Sequence, residues 1–568
     1  VTGGPPGNPN LVPSLASAPG SASVEPDRLR LGSLLVVAMA FVLRLASSLV
    51  NPVNYDGYWH VFIARNLPRE FASLAHPPLF PILLRLADAI RPSRLSYLSI
   101  SLVAGTAAVF LFGLVLQKLC RNRTVPLLGV LALALSPTAI LLSGVAESYM
   151  LCLAFLLAAL LSYLELLAPR PEGPVSARIR FSGFATLALL SHYAAGLFLV
   201  AAVAVPLVLI ALEPLYRKAM MRELPARLAA DAAAFLVPAT VAAALFHFLA
   251  RPWVHSLSHL PAFYLDPARE TAAAFLARTM ADTFNLFSPL RIASPAAAAA
   301  ALVGFVAAVV TIAVASDRRR HSVIPGATPA VFLVLLLVLE MAAGLRGWYP
   351  FGGATRHQIL LMIFGLMAAL VAFDRVLVAF SLPARRTLMV LGAAAIAANA
   401  WGHLDKRWRP RPEPFSAERR RFDLDFPKAL EVHVDQFNLI GFFAQHHDWQ
   451  WDFLGPVAGQ PGRERYRLSR DGRSLELVAH RDMWNMDLLD PDVYQALSSS
   501  PASPASRPIT LYYVHQVLPG QTLPTSDSLN RQIPALARRA GLETEKLDVV
   551  GANVFAQFRR VGSAEPKS

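Results

Sequence analysis

The chain has 568 residues, of which 55% are hydrophobic and 16% charged. That is too apolar for a protein lying wholly in water and too charged for one made only of membrane spans, so a polytopic membrane part joined to a soluble part is expected. The formal net charge of +14 does not call for a nucleic-acid partner: Lys and Arg sit in short loops between apolar runs, and no basic recognition motif is present.

In chain order, residues 1–30 read as a disordered cytoplasmic tail rich in Pro, Gly, Ser and Ala. Leu31–Val50 is long enough to cross about 30 Å of hydrocarbon at about 1.5 Å per residue. It is too long and too uniform for a cleaved signal peptide. Arg28 and Arg30 ahead of it put the N-terminus inside. Arg44 within it reads either as snorkelling outwards or as facing a polar cavity. Residues 51–94 form an outer segment in which Pro77–Ile90, too short to span, lies along the interface as a helix.

Further spans are expected at 95–116, 126–142 and 150–167, and as two short segments of 181–212 that break outside at Ser191-His192-Tyr193. The remainder fall at 228–250, 292–316, 329–344, 359–380 and 388–401, with 251–290 as a long outer loop. The result is a mainly α, polytopic membrane protein of about 11 transmembrane helices. Inner loops and flanks carry 18 Lys and Arg, whereas the outer loops carry 11 over far more residues, which sets the N-terminus inside and the C-terminus outside. Cys120 and Cys152 fall near opposite membrane faces, about 30 Å apart, out of disulfide reach.

From residue 403 the composition changes to charged and turn residues. Residues 403–568 read as a C-terminal soluble α/β domain outside the membrane. Strands are expected at 430–434 and 509–516, an amphipathic helix at 529–540, extended chain at 547–558 and a Ser/Pro-rich loop at 498–507.

The polar oddities gather on one predicted side. Asp56 and His60 are four apart and share a helix face. Asp56 reads equally as a general base and as a helix N-cap. Arg346, Arg356 and His357 flank a Gly-Gly turn at an outer end, where an Arg fork suits phosphate oxygens and glycine lets backbone approach a ligand. Headgroup anchoring beside Trp348 and Tyr349 is the plainer reading of the same residues. Glu147 lies by an outer turn and His192 interrupts an apolar stretch. Together these groups describe an outward-facing cavity lined by acid, imidazole and guanidinium. His255 and His259, with Asp266, could hold a divalent metal, but the spacing alone is weak support and the sequence demands no metal.

Three segments carry a resemblance. Tyr55-Asp56 follows the first span, with His76-Pro77-Pro78-Leu79 twenty residues on. Ala146-Glu147-Ser148-Tyr149-Met150-Leu151 forms a second outer turn. Tyr349-Pro350-Phe351-Gly352-Gly353-Ala354-Thr355-Arg356-His357 opens a late span. In this order they resemble the membrane glycosyltransferases of the GT-C fold, nearest the protein O-mannosyltransferases and the aminoarabinose transferases of lipid A. The chain departs from the family where Gly57 follows Asp56, since Asp-Glu is frequent there, and where Glu147 stands in place of the Arg of some branches.

The resemblance implies a GT-C-like catalytic domain over 31–402 that transfers sugar from a polyprenyl-phosphate-linked donor at the extracytoplasmic face. The acceptor, whether protein, lipid or polysaccharide, is left open. Asp56 would be the general base and Glu147 a second catalytic acid. Arg356, Arg346 and His357 would meet the leaving phosphate, and Tyr55, His60, His76 and His192 would line the substrate cavity. Direct attack implies inversion at the sugar. The setting implied is the bacterial inner membrane and cell-envelope glycosylation, with membrane lipid and no nucleic acid as partners. A transporter or lipid flippase is the alternative. It fits less well, because no internal repeat is found and the polar groups sit at one face rather than at mid-depth.

Overall fold

The computed structural model describes residues 24–70, 76–168, 175–212, 214–251, 264–287, 292–317, 326–351, 355–407, 415–425, 431–460, 462–481, 486–499, 508–515 and 524–561. Among the described residues the membrane part is built of helices and the turns that join them. Its helices are α1 (Val24–Val50), α2 (Tyr55–Arg65), α3 (Leu67–Glu70), α4 (Leu79–Ile90), α5 (Arg94–Leu119), α6 (Val125–Leu135), α7 (Pro137–Ser143), α8 (Tyr149–Leu167), α9 (Val175–Ser191), α10 (Ala194–Leu212), α11 (Pro214–Leu245), α12 (Ala272–Phe287), α13 (Pro295–Asp317), α14 (Thr328–Leu345), α15 (Ile359–Leu377) and α16 (Leu382–Arg407).

Among the described residues, eight helices are long and apolar enough to cross a membrane, nine if the bent pair α6–α7 counts as one span. The protein is therefore an integral, multi-pass membrane protein. Two of the eleven expected spans fall outside this count: α9, with 17 residues, and the segment within α16.

Three sequence expectations change. Helix α1 begins at Val24, ahead of the expected Leu31. The inner loop expected around Arg217–Arg227 is helical, because its Ala-, Leu- and Arg-rich sequence continues α11 beyond the apolar run. The outer loop expected at 251–290 contains α12, whose Phe275, Thr279 and Thr283 are buried. Of that loop, His255 and His259 lie outside the described residues, as do Arg318 to Arg320 of the inner loop that follows α13.

Arg44 does neither of the things expected of it. It is fully buried and serves the break between α6 and α7, which are bent by 57°. Pro137 has no N–H for the Leu133 carbonyl, and the bend takes the Ala134 carbonyl out of the helical ladder too. The Arg44 guanidinium donates to both, Nη2 to Leu133 O and Nη1 to Ala134 O, each at 3.1 Å. It also donates to Ala40 O at 3.2 Å and to Ser143 Oγ at 3.1 Å. A buried charge persists only when its donors are satisfied in this way, and the satisfied break delivers the 144–148 turn to the site.

The residues expected on the inner side meet at one end of the bundle. Lys118 and Arg180 share Glu165 at 2.9 and 2.6 Å, and Arg178 pairs with Asp231 at 2.9 Å. Asp374 accepts from the backbone N–H groups of Arg121 and Asn122 at 2.8 Å. Free Cys120 lies at this end, whereas free Cys152 is buried in α8.

The C-terminal part comprises α17 (Ser416–Asp425), β1 (Glu431–Asp435), α18 (Gln436–Gln445), β2 (Gln450–Pro456), β3 (Arg463–Arg470), β4 (Arg473–His480), α19 (Pro491–Ser498), β5 (Ile509–Tyr513), α20 (Ser526–Arg539), β6 (Leu542–Val550) and β7 (Asn553–Arg560). The strands form one sheet of order β2-β3-β4-β1-β5-β7-β6. β1 runs parallel to β4 and β5, with Val432 opposite Leu477 and Thr510, and the other pairings are antiparallel. The sequence reading of β1, β5 and α20 matches. The stretch expected to be extended at 547–558 is two strands turning at Gly551, which sits at φ +61°, where a side chain would be strained. Most of the expected 498–507 loop lies outside the described residues.

Candidate active site

The site forms where the first turn of α2, the 144–148 turn and the start of α15 meet. Asn54 caps α2, its Oδ1 accepting from Gly57 N at 3.2 Å. This settles one ambiguity: the N-cap is Asn54, not Asp56, so the Asp56 carboxylate is released from capping and sits in the first helical turn. The same Asn54 reaches across to the second acid, Nδ2 donating to Glu147 Oε1 at 2.6 Å. Ser101 Oγ on α5 pins that turn by donating to the Glu147 carbonyl at 2.9 Å. Arg356 closes the cluster from the short 3-10 turn Thr355–Gln358: its Nη1 donates to Asp56 Oδ2 and, at 3.3 Å, to Glu147 Oε2. Three residues distant in sequence thus form one acid–guanidinium–acid group.

Gly57 is required by this geometry. A Cβ there would come within 2.7 Å of Asn54 Oδ1, 2.8 Å of Val53 Cγ1 and 3.0 Å of Ala146 Cβ. Ala146 packs against Gly57, and Glu147 meets Asp56 through the shared Arg356.

A wall of imidazoles and phenols continues the pocket. The His60 ring lies 4.9 Å from that of His76, and His76 lies 6.2 Å from His192. His192 in turn packs 4.7 Å from Tyr149 and 6.5 Å from Tyr349. Tyr349 donates to the His357 carbonyl at 3.0 Å. His192 sits at the break between α9 and α10, where its Nδ1 accepts from Ala194 N at 3.1 Å. In the neutral ring the proton is then on Nε2.

Burial, with Arg356 adding to it, holds His192 down to about 3 and His76 down to about 4, although Asp56 opposes the shift at His76. Burial together with His76, His192 and Arg356 holds His60 well below the ordinary histidine range. These rings are neutral at physiological pH and offer hydrogen bonds rather than charge.

Glu147 is raised to about 7, by burial first and by the nearby Asp56 carboxylate second, with Arg356 and Asn54 opposing. Folded Glu147 therefore binds its proton more tightly than the unfolded chain, whose ordinary value is 4.5. Its contribution to stability is fully present below about 4.5 and is lost as pH rises through about 7. The thermal unfolding midpoint of the solubilised protein is expected to fall across that window, and Glu147→Gln is expected to flatten the dependence. An equally steep dependence in the variant would refute this origin.

Not every expected residue joins the cluster. Arg346 is exposed at the C-cap of α14 beside exposed Trp348, and among the described residues no ion pair links it to Asp56, Glu147 or Arg356. Tyr55 turns away from the imidazole wall, its hydroxyl donating to Phe437 O at 3.0 Å. Asp266 pairs with Arg269 at 3.0 Å. Among the described residues no group of three or more His, Cys, Asp or Glu is placed to hold a metal ion.

Asn54 and Ser101 enter as residues the sequence reading passed over, and Tyr149 and Tyr349, read there only as parts of longer segments, join the pocket wall. Asn54 was discoverable as an N-cap signal, Asn two residues ahead of an acid. Glu340 was also missed. It is buried on α14 in an apolar run, both carboxyl oxygens lacking a hydrogen-bond partner among the described residues.

No family model and no curated protein matches the sequence. Among solved structures, the chain is similar to ArnT from Cupriavidus metallidurans bound to undecaprenyl phosphate, with a TM-score of 0.52 at 12% identity over 94% of this chain and 99% of that chain. The same protein in the apo state gives a TM-score of 0.37 at 14% identity over the same shares. The first likeness shows a common fold across nearly the whole of both chains, the GT-C architecture that the sequence motifs resemble.

Proposed function

We propose that the protein is a glycosyltransferase that takes sugar from a polyprenyl-phosphate donor, with Asp56 as general base. The observation that carries the reading is the Asp56–Arg356–Glu147 group. It sets two carboxyl groups, one of them raised to about 7, and a guanidinium suited to phosphate within one hydrogen-bonded cluster. The undecaprenyl phosphate bound by the similar ArnT structure supports the class of donor lipid. An open apolar cleft of about 450 Å³ between α13 and α14, lined by Val303, Val306, Val310, Val334 and Leu337, offers an isoprenoid tail a place at membrane depth. α14 rises from that cleft towards the Tyr349–Arg356 segment.

In the reaction, the acceptor hydroxyl or amine attacks the anomeric carbon while Asp56 takes its proton. The anomeric C–O bond breaks, and the electron pair leaves on the polyprenyl phosphate. Arg356, released from Asp56, meets the charge developing on the phosphate oxygens. The neutral rings of His60, His76 and His192, with Tyr149, hydrogen-bond the sugar. A single displacement inverts the anomeric centre. The reading requires no divalent metal, and transfer that chelation abolishes and metal restores would correct that part.

The site end faces the extracytoplasmic side and the Lys118–Glu165–Arg180 end faces the cytoplasm, in keeping with the Lys and Arg asymmetry. An impermeant thiol reagent is expected to label a single cysteine at exposed position 346 and not one at exposed position 180, and the reverse pattern inverts the orientation. The function itself is tested with labelled polyprenyl-phosphate sugar and the reconstituted protein. Transfer, or slow release of sugar to water, supports the enzyme. Intact donor that merely changes leaflet points to a flippase.

A further inference from the structure

Helix α2 has two working faces. Asp56 and His60, four apart, turn towards Arg356 and His76. Tyr55, Tyr58 and Phe62 form a second stripe, which Arg65 and Arg69 extend, and this stripe lies on the C-terminal sheet domain. The Tyr55 ring stacks on Phe437 at 4.7 Å and its hydroxyl donates to the Phe437 carbonyl. Tyr58 packs 5.2 Å from His447, and Phe62 meets Phe443 edge-on at 5.3 Å. Arg65 Nη1 donates to His447 O at 2.6 Å.

At the far end, buried Glu70 receives Arg481 through two bonds of 3.1 and 2.8 Å. Beside it, the Arg69 guanidinium lies 3.8 Å over the Phe453 ring and donates to Tyr466 Oη at 2.7 Å.

A helix of 11 residues is marginal by itself, and its position is set by what it packs on. On the membrane side α2 is tied to α4 by Arg65, whose Nε meets Asp88 at 2.9 Å. On the other side the contacts described above run to the sheet domain, and the first of these is on Tyr55, the chain neighbour of the proposed base.

We infer that the C-terminal sheet domain is a positioning element for the transfer reaction: it grips α2 and α3 at both ends, through Tyr55–Phe437 and Glu70–Arg481, and so sets the Asp56 carboxylate against Arg356 and the incoming acceptor. Tyr55 and Arg481 are its positioning residues. The inference rests on the proposed role of Asp56. It gives the soluble domain a part in turnover, where a domain that merely docks would affect stability alone.

The test uses the purified full-length chain. Tyr55→Phe keeps the ring and removes the bond to Phe437 O; it is expected to lower kcat about 10-fold. Arg481→Ala is expected to lower it about 10²-fold, the scale of an ångström-sized misplacement of a reacting group. The donor KM stays unchanged in both. Arg481→Ala leaves buried Glu70 with Arg69, at 3.1 Å, and loses stability, so the double variant Glu70→Ala/Arg481→Ala is the control for folding. It is expected to recover the thermal midpoint without recovering kcat.

Amide hydrogen exchange provides a reading free of activity. Exchange across 57–66 should quicken in Tyr55→Phe and in the double variant, while exchange across Tyr149–Leu167 stays as in the wild type. Wild-type kcat in both variants, or unchanged exchange across 57–66, would overturn the inference. A wild-type protein that transfers no sugar overturns the proposed function instead, and the exchange data then decide the grip alone.

Discussion

Asp56→Asn is expected to lower the transfer rate at saturating donor by about 10² to 10⁴, the usual contribution of a positioned general base. The fold and the donor affinity should be largely retained. The structure makes the substitution clean. Asn54 already caps α2, so the change at 56 removes no cap and should cost little stability. Arg356 loses one carboxylate but keeps Glu147 at 3.3 Å, so no buried charge is stranded. What disappears is the proton acceptor.

Asp56→Glu should recover little, because one added methylene moves the carboxylate by about a bond length, out of alignment with the attacking atom. A purified Asp56→Asn protein with a near wild-type rate would sink the assignment. The base would then be sought at Glu147, where Glu147→Gln makes the same change of charge without change of shape.

The outline of this site was legible in the sequence because membranes make polar residues conspicuous. His192 interrupts an apolar stretch, Asp56, Glu147 and Arg356 fall where apolar spans end, and the alternation of basic loops places all four on one side. Their convergence was not legible, since nothing local in sequence states that Arg356 meets residues 56 and 147. The same holds for Arg44. Its charge was visible within a span, but the need for it arises at the α6–α7 bend, where the Leu133 and Ala134 carbonyls lose their helical partners, and that needs a third dimension.

The soluble domain shows the limit from the other side. β5 is a buried, mostly apolar run and β1 alternates Val432 and Val434 with Glu431, His433 and Asp435, and both read as strands. β3, with Arg463, Glu464, Arg465 and Arg467 along its length, hides its inward Tyr466 and Leu468 among charges. The stripe of Tyr55, Tyr58 and Phe62 has clear helical spacing. Its partner surface is nearly 400 residues further along the chain, so periodicity could mark a buried face without saying what buries it.

Arg356→Ala carries the second large effect, because one guanidinium serves two states. Without donor it is the cation between Asp56 and Glu147. With donor it is free to turn to the phosphate. Loss of the guanidinium removes a charge-assisted contact to the leaving group, expected to cost about 10² to 10³ in kcat/KM for the donor, the scale seen when one preorganised donor is deleted from a site.

The variant also leaves two carboxyl groups facing each other without a cation. Arg356 lowers Glu147, so Glu147 in Arg356→Ala should titrate further above its present value of about 7, and the pH range over which stability falls should move upward with it. Arg356→Lys separates the two roles. A single ammonium restores the charge between the acids, and with it most of the normal pH dependence of stability. It lacks the planar fork that holds two phosphate oxygens, so the donor KM should stay high. If Arg356→Ala instead reduces only the yield of folded protein, and the surviving fraction transfers sugar at the wild-type rate, the residue ties the three segments together and takes no part in the chemistry.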